Sequence, residues 1–127
     1  MSMRTGDLSF KEAREALEQL YESSNEDRRF ILRLYLLYAF NDQYGRKGLQ
    51  FPDYCEDYLY FVDNCREMIK MEQTNSTLRA ELYREIGEFD QCVQYLDSLE
   101  PAEEYENKVR DQIRFHALIE DRVVFKL

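Results

Sequence analysis

Between Leu78 and Leu99, two short runs of apolar residues at helical spacing stand on either side of a single glycine, Gly87. The first run carries Leu78, Leu82, Tyr83 and Ile86; the second carries Phe89, Cys92, Val93, Leu96 and Leu99. Spacings of three and four residues place each set on one face of a helix. The glycine ends the first helix, because only glycine enters the left-handed cap conformation at little cost. Two amphipathic helices joined so closely bury their apolar faces by packing back on one another. Thr74-Asn75-Ser76-Thr77 supplies cap residues for the first of them.

The rest of the chain extends this helical pattern. Ser9 and Glu12 form a capping box for a first helix that runs to about Tyr21, with Phe10, Ala13, Leu17 and Leu20 inward. From Phe30 to Phe40 every residue except Arg33 is apolar, a run too continuous for a surface helix and too short for a membrane span. It is rich in leucine and has one β-branched residue, so it reads as a buried central helix. Gly45 or Gly48 ends it, and Pro52 suits the first turn of a third helix. Cys55, Tyr58, Leu59, Val62, Cys65 and Ile69 form that helix's core stripe, widened by Tyr54, Tyr60 and Phe61. Pro101 and the acidic residues Glu100, Glu103, Glu104 and Glu106 open a last helix with Tyr105, Val109, Ile113 and Leu118 inward. The tail from Arg122 to Leu127 either continues that helix or docks as an extended segment. The expectation is one all-α domain over residues 1–127, about six helices in antiparallel hairpins around the Phe30–Phe40 segment.

Composition narrows the function classes. A formal charge of −9, from 26 acidic and 17 basic residues without segregation, disfavours nucleic acid and anionic membrane surfaces as partners. Three cysteines without CxxC spacing and a start lacking an apolar leader segment point to a reducing cytoplasm. His116 is the only histidine, and no local spacing supplies it with metal-binding or nucleophilic partners. The glutamates near residue 100 lack the glycine-centred loop of calcium sites, and none of the common nucleotide, metalloprotease or hydrolase signatures occurs. No catalytic residue, metal or cofactor is therefore expected. The competing enzyme reading is a metal- or carboxylate-dependent hydrolase whose Asp and Glu residues converge between hairpins. Ten tyrosines and eight phenylalanines are the remaining oddity, and aromatic rings serve first as core fillers and also as favoured interface anchors. Homo-oligomerisation through the tyrosine-rich face of helix three, at Tyr54 and Tyr60, is one expectation.

Aligned on Gly87, the hairpin at about 75–99 resembles a tetratricopeptide repeat, with Ala80 and Tyr83 before the turn, Phe89 after it and Cys92 at the usual small site. Ser76, Leu96 and an early Pro101 depart from that pattern. Phe10 and Phe89 are not separated by a multiple of the roughly 34-residue repeat, so the array is degenerate or irregular. The segments Phe40-Asn41-Asp42, the hairpin and Gln112-Ile113-Arg114 also resemble uncharacterised bacterial proteins with a tetratricopeptide-like domain. The resemblance implies a bacterial cytoplasmic protein that acts as a protein–protein interaction module, an adaptor or scaffold. It places Thr74, Thr77, Glu81, Arg84 and Glu85 on a concave partner-binding face. Glu81 and Glu85 would repel a peptide carboxylate there, which leaves a basic or neutral peptide as the expected ligand. The alternative for Arg79, Glu81 and Arg84 is pairing along the helix surface.

Overall fold

The computed structural model describes residues 9–44 and 56–122, and these are all-helical: α1 (Phe10–Leu20), α2 (Glu26–Gln43), α3 (Glu56–Ile69), α4 (Ser76–Glu85), α5 (Phe89–Asp97) and α6 (Glu104–Leu118). Local chemistry sets the helix starts. Ser9 and Glu12 make both halves of the capping box on α1, Asn25 accepts from Arg28 N–H on α2, and Asn75 accepts from Leu78 N–H on α4. Glu103 caps α6 through Glu106 N–H.

Each helix packs on the next, and α4 also packs on α6. Two apolar clusters result. The larger joins Phe10, Ala13 and Leu17 of α1 with Leu32, Leu36, Leu37, Ala39 and Phe40 of α2, Phe61, Cys65 and Met68 of α3, and Leu82 of α4 with Ile86 at its end. Phe40 is its centre, stacked on Phe61 at 4.1 Å between ring centroids and meeting the edge of Phe10 at 5.5 Å. The smaller cluster joins Ala80 of α4, Cys92 of α5, and Val109, Ile113 and Ala117 of α6. Helix α4 thus contributes opposite faces to two cores.

Four helices depart from the expected pattern, and on α1 the departure is Leu20, which is exposed at the helix end while Phe10, Ala13 and Leu17 are buried. On α3 the buried face is Tyr58, Phe61, Asn64, Cys65 and Met68, while Leu59 is exposed. Asn64 is inside because α2 offers it Arg33: its amide donates to the Arg33 carbonyl and accepts from Arg33 Nη1, both at 3.1 Å. On α2 the apolar run is not sealed all round, since Ile31 is exposed. On α6 Tyr105 and Leu118 face outward, and Ala117 takes the inward position. Gly45, Gly48, Pro52, Tyr54, Cys55 and residues 123–127 lie outside the described residues.

The turns after α4 and α6 share one design. After α4, Gly87 at φ +82° places its N–H on the Arg84 carbonyl, and Glu88 N–H reaches the Tyr83 carbonyl. After α6, Glu120 at φ +56° places its N–H on the Ala117 carbonyl, and Asp121 N–H reaches the His116 carbonyl. Both are Schellman turns, and the second uses a glutamate where glycine is favoured.

Candidate functional site

Four of the five candidates on α4 and just before it face inward rather than lining an open surface. Arg84 is fully buried, with Nε and Nη2 each 2.7 Å from an oxygen of Glu81 and Nη1 2.6 Å from the Asp121 carbonyl. Glu85, one helical turn after Glu81, accepts from the Asn41 amide of α2 at 2.9 Å. Burial foremost, then the neighbouring Glu81 charge, raises the Glu85 carboxyl well above the ordinary range, against the opposing pull of Arg84 and Asn41. Burial pulls the Arg84 guanidinium down, but Glu81, Glu85 and Asp121 outweigh it and leave it raised. Tyr38 of α2 is raised by its burial and by Glu85. One guanidinium thus faces two carboxyls, and a proton retained on Glu85 relieves the excess negative charge.

Thr74 is buried, its hydroxyl donating to the Met68 carbonyl at 2.5 Å. Thr77 donates to Glu106 at 2.8 Å and accepts from Arg110 Nε at 3.0 Å, which ties α4 to α6. Tyr60 is half-buried, edge-on to Phe10 at 6.1 Å with the Arg14 guanidinium 4.1 Å above its ring, so it anchors α3 on α1. Tyr54 lies outside the described residues. Arg79 also serves the interior: it donates to the carbonyls of Ile69, Met71 and Thr74 between 2.8 and 2.9 Å, and to the Tyr95 hydroxyl at 3.0 Å. These groups hold the helices in place, and the repulsion argued for a peptide carboxylate has no open surface here on which to act.

The segment after α6 closes over the buried charges. The Asp121 carbonyl receives Arg84, its carboxylate meets His116 Nδ1 at 2.9 Å, and Arg122 donates to the Tyr58 hydroxyl of α3 at 2.5 Å. Arg122 crosses directly over Gly87, where a Cβ would stand 3.4 Å from its Cδ.

The outward face of α6 is the feature that sequence reasoning missed. Phe115, Leu118 and Ile119 at its end are between 56% and 62% exposed, away from the buried stripe of Val109, Ile113 and Ala117, and Tyr105, which continues that stripe at the start of the helix, is exposed as well. The signal was present in the sequence: α6 and its end hold more apolar residues than one stripe can seat, and Phe115 and Ile119 fall off the Val109–Ile113 face. Lys108 and Asp111 are exposed between the apolar ends.

Among the described residues no group of three or more His, Cys, Asp or Glu side chains is placed to hold a metal ion, and no helix is long and apolar enough to cross a membrane. Cys65 and Cys92 are unpaired and buried; burial drives the Cys65 thiol well up and Cys92 to about 11. The chain matches no family model, no curated protein and no solved structure.

Proposed function

We propose that the chain is a protein–protein interaction module, an adaptor or scaffold of irregular tetratricopeptide-like build working in a reducing cytoplasm, in keeping with the bacterial resemblance of its hairpin. The outward face of α6 carries the proposal: among the described residues Phe115, Leu118 and Ile119 are all exposed, and an apolar face is costly in water unless a partner covers it. The repeat-like build is supported by α4, α5 and α6 packing mutually, and by the matching Schellman turns at Gly87 and Glu120, spaced by roughly one tetratricopeptide unit of about 34 residues. Buried free thiols suit a reducing compartment. The hydrolase reading lacks comparable support, because the carboxyls that converge, Glu81 and Glu85, are occupied by Arg84 and Asn41 inside the protein.

The test compares proteins captured by the wild-type chain and by a Phe115→Glu/Leu118→Glu variant of unchanged helicity. Loss of specific captured proteins from the variant is expected; identical sets would overturn the assignment of function to this face.

A further inference from the structure

We propose that the partner of the α6 face is a second copy of this chain, the two α6 helices packing antiparallel about a two-fold axis; the inference rests on the interaction reading above and names the partner. Two observations support it. The first is the comparison with α4. Counted back from their Schellman turns, Phe115 and Ile119 of α6 occupy the places that Leu82 and Ile86 occupy relative to Gly87. Leu82 and Ile86 are buried against α1, α2 and α3. The same face of α6 is therefore of a kind that a helix covers, and among the described residues it stands exposed.

The second is self-complementarity. Glu104, Lys108, Asp111, Phe115 and Leu118 follow one another at alternating steps of four and three, the spacing of a helix-to-helix seam. An antiparallel pairing centred between Lys108 and Asp111 sets Lys108 beside the partner's Asp111, and the two-fold repeats that ion pair. The same register lays Phe115 over the stem of the partner's Glu104 and beside the partner's Tyr105, and it carries Leu118 towards the start of the partner's α6. A parallel pairing would set Lys108 on the partner's Lys108 and Asp111 on the partner's Asp111, so charge selects the antiparallel arrangement.

Light scattering coupled to size exclusion over a range of concentrations tests this on the full chain. The expected results are a wild-type dimer, a Phe115→Glu variant that is monomeric where the wild type is dimeric, a weakened Lys108→Glu dimer, and recovery in Lys108→Glu/Asp111→Lys. Circular dichroism on each variant separates loss of pairing from loss of fold. A wild type monomeric at every concentration would overturn the inference, as would a dimer indifferent to Phe115→Glu or a double variant no better than the single one. A dimer abolished by Tyr60→Ala alone would move the interface to α3 and also overturn it. A monomeric chain that dimerises only when residues 123–127 are removed would do the same, by assigning the face to the chain's own end. A monomeric wild type leaves the broader interaction reading standing, since the capture experiment judges that separately.

Discussion

Asn41 on α2 and Glu85 on α4 are joined inside the protein by a 2.9 Å hydrogen bond, and Glu85 in turn lies one helical turn from Glu81, which holds Arg84. Burial and the adjacent Glu81 keep the Glu85 proton bound to higher pH than in an ordinary carboxyl. The sign of the pH effect follows. The unfolded chain releases this proton near the ordinary glutamate value of about 4.3, while the folded chain retains it, so stability from this group is complete below that pH and declines as pH rises towards the folded value. Glu85→Gln reproduces the neutral form, with its oxygen placed to accept from Asn41 and its amide to donate towards Glu81. Urea denaturation is expected to show the variant at least as stable as the wild type at pH 8, with a flatter dependence between pH 5 and 8. A variant clearly less stable at pH 8 would mean that Glu85 is charged in the folded state.

Among the described residues Arg84 is the guanidinium bonded to Glu81, and removing it leaves a buried carboxylate without that partner. Arg84→Met is expected to cost about 3–5 kcal/mol, the usual result of breaking a buried ion pair from one side. Arg84→Met/Glu81→Leu removes both charges and is expected to recover much of that loss. Chemical denaturation of both single variants and the double variant gives the coupling directly, and an additive result would show that the pair acts independently.

The contrast between these charges and the helix caps shows what the sequence makes legible. Ser9 with Glu12, and Gly87 with the apolar runs beside it, act within a turn of the chain, so local spacing reveals them. Arg84 and Glu85 look like the wet side of a short amphipathic helix. They are interior because Asn41 lies on α2 and Asp121 follows α6, partners that no local pattern connects to α4. The rotation of α3 has the same origin, since Asn64 enters the core only because Arg33 meets it from another helix. The outward apolar face of α6 was visible as a surplus of large side chains, but deciding which of them faced α4 and α5 required the packing of all three helices.

Cys65 and Cys92 are fully buried, and both thiols are raised by that burial, which suppresses the reactive thiolate. Labelling with a water-soluble disulfide reagent at pH 8 is therefore expected to modify them only as fast as the protein opens, and urea is expected to accelerate both. Peptide mapping distinguishes them from Cys55. Immediate labelling of either residue in the folded chain would place it at the surface.

The two Schellman turns make opposite demands on their residues at positive φ. Glu120 holds φ +56° with a side chain that the left-handed region disfavours, and it is exposed, so its replacement removes strain without opening a cavity. Glu120→Gly is expected to stabilise the protein by about 0.5–1 kcal/mol, the left-handed penalty less the entropy that glycine returns to the unfolded chain. Gly87 holds φ +82°, and a Cβ there would also press on Arg122, whose guanidinium is bonded to Tyr58. Gly87→Ala is expected to cost about 1–2 kcal/mol from the backbone alone and to loosen the Arg122 contact as well. Thermal denaturation followed by circular dichroism should move the two variants in opposite directions. Hydrogen exchange gives the finer check: Gly87→Ala should speed exchange at the Asp121 amide, because the segment that Arg122 anchors to α3 is the same one that carries the closing bond from Asp121 to His116.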